Sequence, residues 1–463
     1  MCEQGRSTLA VGEDGRILDR LAGLEKVISP DVVRGVLQAT ERINGRACEL
    51  THEVMLWVVL AMGLFTHLPI RQVFRHSRRL RAGEKCPARS SLCEARKRLG
   101  VEPVQALHAV VVRPLATADT PGAFYRRWRL MGLDGTVMDV PDSAANAGFG
   151  RSSGARGEGP FPQARKVSLV ELGTHVETAL AIGGWGDDER TLARTLWDQI
   201  PGDALLLEDR GFFSYDDWKS LESRVKLLVR VKSNFVLRPL QRLADGSYLA
   251  KIYPASYYRD KDRHGIVVRV IEYTLDDPQR TGHGEVHRLI TNLLDPAAAP
   301  ARELIVLYHE RWEEELVFDE QKTHHDPRRA EKPAQLRSET PNGVRQELYA
   351  LSLGHFVIRA LMLEAARPAR LDVDRLSFVG CFRILQCRLP ECPTPAESTQ
   401  ATLQAWYQAL LAEMRTERIG PRRDRINPRV IKRKMSRWNK KRAAHRSVRP
   451  LLKTFEQSIV MKT

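Results

Sequence analysis

The pattern of apolar and polar positions divides the chain into three stretches. Through residue 125, apolar residues recur at helical spacing in Leu18 to Val27, Val32 to Ile43 and Val54 to Phe65, with no convincing strand-like alternation, so this part is predicted helical. Ile70 to Leu80 continues the pattern and carries Arg71, Arg75, Arg78 and Arg79. After a turn containing Gly83 and Pro87, Ser91-Leu92-Cys93-Glu94 has the form of a capping box, and Gly100 and Pro103 close the short helix it announces. Leu92, Ala95 and Leu99 share one face of that helix, with Arg96, Lys97 and Arg98 around the rest. Two readings stand: a helix-turn-helix DNA reader with a long turn, or a generic basic helical bundle.

From Trp128 the period changes to that of strands. Leu130 to Val140 alternates, and Val167 to Leu172, Val176 to Ile182, Ala204 to Leu207 and Lys226 to Val231 are short β-branched or apolar runs. Helical stretches are predicted at Glu189 to Gln199 and Phe213 to Glu222. Three strands, a helix, a strand, a helix, a strand and a later helix match the ribonuclease H-like α/β fold. Residues 234 to about 291 interrupt that order with short polar and aromatic runs and the strand-like Ile266 to Tyr273, which predicts a β-rich insertion. After Leu363 the chain returns to helices. The expected organisation is a helical N-terminal DNA-binding domain over 1–125, an α/β catalytic domain over 126–365 and a helical, strongly basic C-terminal region over 366–463.

Composition narrows the partner. The 463 residues are 43% hydrophobic, enough for real cores, and carry a formal charge of +16, which points to nucleic acid. The charge concentrates after Arg422, where Arg423, Arg425, Arg429, Lys432, Arg433, Lys434, Arg437, Lys440, Lys441 and Arg442 follow with Trp438 among them and Asp424 opposing. The apolar run Val54 to Phe65 is too short to span a membrane, and the N-terminus lacks the features of a secretory signal, so a cytoplasmic protein without a membrane partner is expected. Seven scattered cysteines fit reduced thiols, and Cys381, Cys387 and Cys392 lack the paired spacing of a structural zinc site.

The candidate chemistry begins in one predicted helix, where Tyr308, Arg311, Glu315 and Lys322 fall within a stripe roughly 60° wide at 100° per residue. Glu313 and Glu314 fall off that stripe. An ordinary solvated helix with an Arg311–Glu315 ion pair explains the same residues, so further carboxylates decide. Asp134 lies inside an apolar strand with Gly135 after it, and a strand aspartate taken out of water needs a partner such as a divalent cation. Asp139 is the alternative, although alternation turns it to the opposite sheet face, and Asp142 follows Pro141 beyond the strand. Asp209 closes the run Ala204 to Glu208, at a strand's carboxyl end with a helix following, where open α/β sheets place ligand chemistry.

The spacing Tyr308-x2-Arg311-x3-Glu315-x6-Lys322 resembles the signature of the bacterial insertion-sequence transposases of the insertion element four family. Asp134-Gly135-Thr136 followed by Pro141-Asp142-Ser143, Phe161-Pro162, and Asp209-Arg210-Gly211-Phe212 resemble the same family in the same order, over most of residues 130 to 325. The resemblance implies a DDE enzyme in which Asp134, Asp209 and Glu315 hold two Mg²⁺ ions, with Mn²⁺ able to substitute. Arg311 and Lys322 would neutralise phosphates, and Tyr308 would donate a hydrogen bond to one. It implies cut-and-paste transposition on double-stranded DNA: recognition of terminal inverted repeats, strand cleavage and strand transfer. A homodimer in the synaptic complex and a place at the cytoplasmic nucleoid follow as expectations. Some relatives pass through a hairpin with an aromatic residue holding a flipped base; here no tryptophan lies between Trp218 and Trp312, which leaves Tyr253, Tyr257 and Tyr258. An inactive DNA-binding repressor and a metal-dependent nuclease without strand transfer are the rival readings.

Other signals add little. The glycine-rich stretch Gly148 to Gly157 lacks the order of a nucleotide-binding loop and reads as a mobile loop. His283 and His287 are four apart, but Gly282 and Gly284 argue against a metal-binding helix there, and His324 and His325 are expected to satisfy helix-end carbonyls.

Overall fold

The helical period of the first stretch becomes helix in the structure, a computed structural model that describes residues 19–43, 48–78, 85–154, 157–280, 282–325, 336–393, 399–420 and 452–462. Two compact units share the chain, and neither is one stretch of sequence. Unit one comprises Met1–Ala123, Asp134–Gln199 and Glu313–Ile419; unit two comprises Phe124–Leu133, Ile200–Trp312 and Gly420–Thr463. The basic run from Arg422 to Arg442 lies outside the described residues, as do Arg79, Leu80 and Gly83.

Unit one opens with α1 (Pro30–Ala39), α2 (His52–Leu64), α3 (Ile70–Ser77), α4 (Arg89–Leu99) and α5 (Glu102–Val111). The chain enters unit two with β1 (Phe124–Tyr125) and the first half of β2 (Trp128–Asp139), and returns to unit one at Asp134. There follow β3 (Arg151–Gly154), β4 (Gly157–Glu171), β5 (Val176–Gly184) and α6 (Glu189–Arg194). Unit two resumes with β6 (Ala204–Glu208), α7 (Tyr215–Leu221), β7 (Lys226–Arg230), β8 (Gln241–Arg242), β9 (Tyr248–Ile252), α8 (Ser256–Asp260), β10 (Ile266–Leu275), β11 (His287–Thr291) and α9 (Ala301–His309). Unit one takes up the chain at Glu313 with α10 (Glu313–Asp319), α11 (Pro341–Ala366), α12 (Phe378–Arg388) and α13 (Gln400–Met414). The last elements, α14 (Phe455–Ser458) and β12 (Ile459–Met461), belong to unit two.

Local chemistry accounts for most boundaries. Ser29, Thr51 and Thr340 each accept a backbone N–H at the start of α1, α2 and α11, and Pro30 and Pro341 stand where a helix does not need their missing N–H. Two expectations are corrected. Asp19–Lys26 is a 3-10 helix, and α4 starts at Arg89 without a side-chain cap, so the Ser91 capping box is not used. Glu94 pairs instead with Lys97, 2.7 Å away.

The core of unit one is built on α2 and α11. Helix α2 is buried all round from Val54 to Leu64, as an apolar helix inside a protein must be. A Cβ on Gly63 would lie 1.8 Å from the Ala350 carbonyl oxygen, and one on Gly354 would lie 2.8 Å from the Gly63 carbonyl, so only glycines permit this helix contact. Helix α11 is long and apolar enough to cross a membrane, yet 83% of its apolar window is buried within the protein. Residues of α12 and α13 join the same core, as do Val176 and Leu180 of β5, and β5 pairs antiparallel with β4.

In unit two, β6 lies between β2 and β7 and is parallel to both, with Leu133 paired to Glu208. The antiparallel strands β11, β10, β9 and β8 continue from β7 and include the predicted insertion. The C-terminal region is not wholly helical: β12 pairs with β10 through Ile459↔Leu275, Val460↔Thr274 and Met461↔Tyr273.

Candidate active site

Three of the six candidate residues belong to each unit. In unit two, Asp209 follows the buried end of β6, and its Oδ1 is buried without a hydrogen-bond partner. A carboxylate oxygen in that condition is costly unless a cation or donor meets it, which suits a hard metal ligand. Tyr308, on α9, is buried, and its hydroxyl donates to the Glu208 carbonyl at 3.2 Å. Burial pushes the Tyr308 hydroxyl pKa up, against the opposing effect of Arg311. The Arg311 guanidinium lies 5.9 Å from the centre of the Tyr308 ring. Glu208 itself is pushed up to about 8 by burial and by Asp217, so the residue before Asp209 is held neutral at pH 7.

In unit one, Asp134 Oδ1 accepts from the Gly135 N–H at 2.8 Å. Asp139, the alternative, accepts from Gln163 at 2.8 Å and already has a protein partner. Lys322 Nζ donates to the hydroxyl of Thr136, which alternation places on the same strand face as Asp134. Glu315 is half-buried in the first turn of α10.

The segment bearing Tyr308 to Lys322 is not one regular helix, so the 100° wheel that grouped its residues is corrected. Helix α9 ends at His309, Glu310–Trp312 is a 3-10 turn, α10 runs to Asp319, and Glu320–His324 is a π-helical turn. Such changes of winding gather at functional positions. The unit boundary falls inside this segment, between Trp312 and Glu313.

A buried polar cluster of unit one was not foreseen from the sequence. His175 is buried in the turn between β4 and β5 with a φ of 59°, and its Nε2 donates to Glu313 Oε2 at 2.6 Å. Asp374 Oδ1 lies 3.4 Å from the same nitrogen, and Arg359 Nη2 lies 2.5 Å from Nδ1. Glu320 accepts from Arg359 Nε at 3.0 Å and lies 2.9 Å from His355 Nε2. Burial and Arg359 push the His175 pKa down, but Asp374, Glu313 and Glu320 outweigh them and raise it to about 9. Burial also pushes Glu320 up, yet Arg359, His175 and His355 hold it well below the usual carboxylate range. His175, Glu313 and Asp374 offer ligand atoms within 4.8 Å of one another and could in principle hold a cation. One local sign exists in the sequence: His355 and Arg359, four apart, interrupt the otherwise uncharged run from Leu348 to Leu363.

Other candidates are reassigned. Arg96 is not on an open basic face, since it donates to Gln346 at 2.8 Å and to the Gly343 carbonyl at 2.7 Å. Arg71, Arg75, Lys97 and Arg98 are exposed. His325 is buried edge-on against Phe382 rather than placed at an open helix end. In the insertion, Tyr253 donates to Asp262 at 2.6 Å, while Tyr257 is 58% exposed with Lys261 Nζ 4.2 Å from its ring centre.

The chain's similarities to known proteins follow the same lines. Residues 18–109 match the model of the insertion element 4 transposase N-terminal region, and residues 130–352 match that of the transposase DDE domain. The chain is 26% identical over 419 residues to the transposase InsG for insertion sequence element IS4 of Escherichia coli (strain K12), covering 89% of this chain and 92% of that one. It is 24% identical over 176 residues to the putative transposase InsZ of the same organism, covering 37% of this chain and 57% of that one.

Proposed function

The chain belongs to the insertion element 4 family of DDE transposases, enzymes that act on DNA with divalent metal ions, and from that premise we propose that it performs cut-and-paste transposition of an insertion sequence. In this reading Asp134, Asp209 and Glu315 are the ligands of two Mg²⁺ ions, for which Mn²⁺ substitutes. The observation that carries the assignment is the buried, unpartnered Oδ1 of Asp209 at the carboxyl end of β6. It is supported by the register, which pairs Leu133, the residue before Asp134, with Glu208, the residue before Asp209. When bound, the ions supply activation of the attacking hydroxyl and relief of charge on the departing oxygen.

The remaining roles belong to this chain's own groups. Lys322 and Arg311 bind phosphate and set the strand's position, and an ammonium with three hydrogens can serve Thr136 and a phosphate together. Tyr308 steadies the end of β6 through the Glu208 carbonyl, and its hydroxyl must leave that oxygen to reach a phosphate. The exposed arginines of α3 and α4 read the transposon end, and the run from Arg422 adds phosphate contacts. The catalytic core is ribonuclease H-like, with the β-rich insertion between β7 and α9. Two copies join at synapsis so that both terminal inverted repeats are processed together at the cytoplasmic nucleoid.

The test is cleavage of a duplex carrying the terminal sequence of the element that encodes the protein. Mg²⁺-dependent cutting, abolished by Asp134→Ala, Asp209→Ala or Glu315→Ala with binding retained, is expected; alanine variants that still cut overturn the site. Joining of the cut ends to a target plasmid separates a transposase from a nuclease that does not join. Binding without cleavage by the unaltered protein marks a repressor. Replacing Lys432, Arg433 and Lys434 by Gln should flatten the dependence of log affinity on log salt by roughly two to three units, as lost phosphate contacts release fewer counterions.

A further inference from the structure

Glu315 lies in a segment whose neighbours are tied down on both sides. Two residues before it, Glu313 accepts from His175 at 2.6 Å. Five residues after it, Glu320 is held by Arg359 at 3.0 Å and by His355 at 2.9 Å. Gln321 then donates to Glu177 at 3.0 Å and accepts from Lys166, which itself pairs with Glu177 at 2.7 Å. These ties reach the segment from β4, β5, their connecting turn and α11, and Glu320, Gln321, His175 and Arg359 are all buried.

We propose that His175 and Arg359 are positioning residues that set Glu315 as a metal ligand, a role that rests on the functional reading above. Buried ion clusters are poor sources of net stability, because apolar residues of similar volume pack there at lower desolvation cost. What such a cluster does supply is a fixed place for the backbone that carries it. Here that backbone passes from α to 3-10 to α to π winding between His309 and His324, so its own hydrogen-bond ladder does not define a single register. A metal ligand needs its oxygen held within about 0.5 Å, and the side-chain ties at Glu313 and Glu320 bracket Glu315 closely enough to do so. The competing use of the cluster, as a cation site in its own right, is disfavoured by the Arg359 guanidinium 2.5 Å from the His175 ring and by the hydrogen that His175 Nε2 gives to Glu313.

The test uses the full-length protein with the same terminal duplex and reads cleavage against Mn²⁺ concentration, with DNA affinity and melting temperature measured alongside. His175→Gln and Arg359→Lys should keep DNA affinity and raise the half-saturating Mn²⁺ concentration roughly 10–100-fold, with the rate recovering in part at high Mn²⁺. Leu385→Ala, a cavity in α12, should lower the melting temperature without moving that concentration. Should His175→Gln fail to fold, Glu313→Gln, which keeps the side chain's length, is read in the same way. An unchanged Mn²⁺ response in the folded variants overturns the proposal. So does Mn²⁺ or Zn²⁺ binding that survives in the DNA-free Asp134→Ala/Asp209→Ala/Glu315→Ala protein and is removed by adding His175→Gln, because the cluster would then hold a cation. If Glu315→Ala still cuts, the functional reading itself has failed; if Glu315→Ala is inactive while His175→Gln responds to Mn²⁺ as the unaltered protein does, only the positioning role has failed.

Discussion

Each unit places a buried arginine and a carboxylate beside a helix that carries candidate active-site residues, but at different distances from them. In unit two, Arg269 is fully buried and pairs with Asp245, while donating to Ser247 at 2.8 Å and to the Ala299 carbonyl at 2.6 Å. Asp245 in turn accepts from the Ala301 N–H at 2.8 Å, so this pair fastens the N-terminus of α9, seven residues before Tyr308. In unit one, Arg359 of α11 pairs with Glu320 in the segment itself, with Glu313 held by His175 on the other side of Glu315. The first arrangement sets where a helix starts. The second sets where one carboxylate stands, and the two should therefore fail differently.

The largest effect is expected to be the same for a carboxylate of either unit. Glu315→Ala and Asp209→Ala should each lower the cleavage rate by at least about a thousandfold with DNA binding intact, because ligands that act as one site are not additive. If one of them retained more than a few per cent of the rate, that residue's assignment as a metal ligand would fail. Lys322→Ala and Arg311→Ala come next, with losses on the order of 10–100-fold in cleavage, since each removes a positioning contact rather than a ligand. A loss confined to DNA affinity would place them in the binding footprint alone.

The brace variants separate the units most sharply. Arg269→Met leaves Asp245 without its cation and should cost about 3–5 kcal/mol of stability, read by denaturant unfolding. Its cleavage rate per folded molecule should stay near that of the unaltered protein. Arg359→Lys is expected to show the reverse balance, a smaller loss of stability with a displaced Mn²⁺ response. If Arg269→Met also displaced the Mn²⁺ response, both braces would act on the site and the contrast would disappear.

The uneven legibility of the two braces has a physical cause. Strand patterning is readable because burial on alternate or both faces leaves a local mark: β5, β6 and β7 begin where the apolar runs begin, and Asp134 and Asp209 are proposed from their places in or after such runs. The uniform helical wheel that singles out Glu315 is not obeyed by the segment, so its proposal as a ligand rests on the family spacing. Nothing local marked His175, whose partner Glu313 is 138 residues away, or the burial of Arg96, whose partner Gln346 is 250 residues away. Long-range pairing of charges leaves no period in the sequence. An ionisable residue inside an uncharged helical run, as at His355 and Arg359 between Leu348 and Leu363 of α11, is the one trace it does leave.

The smallest effect at neutral pH discriminates through its sign. Burial pushes Glu177 of unit one up, but Lys166 and then Ser168 outweigh it and hold the carboxyl down at about 2. A carboxyl depressed on folding contributes stability above its unfolded pKa, near 4.5, and loses that contribution as pH falls towards 2. Asp245 of unit two is also depressed, with Ser247, the Ala301 N–H and Arg269 outweighing burial, so its contribution fades in acid too. Removing the cation should split them. In Lys166→Met the Glu177 carboxyl stays fully buried without its counter-ion, its folded pKa rises above the unfolded value, and its contribution becomes one that is present below about 4.5 and lost as pH rises. In Arg269→Met the Asp245 side chain keeps 22% exposure, Ser247 and the Ala301 N–H, and the acid-side loss should persist in weaker form. Denaturant unfolding between pH 3 and 7 reads both slopes, and an uninverted slope in Lys166→Met would mean that water or Gln321 solvates Glu177 as well as Lys166 does.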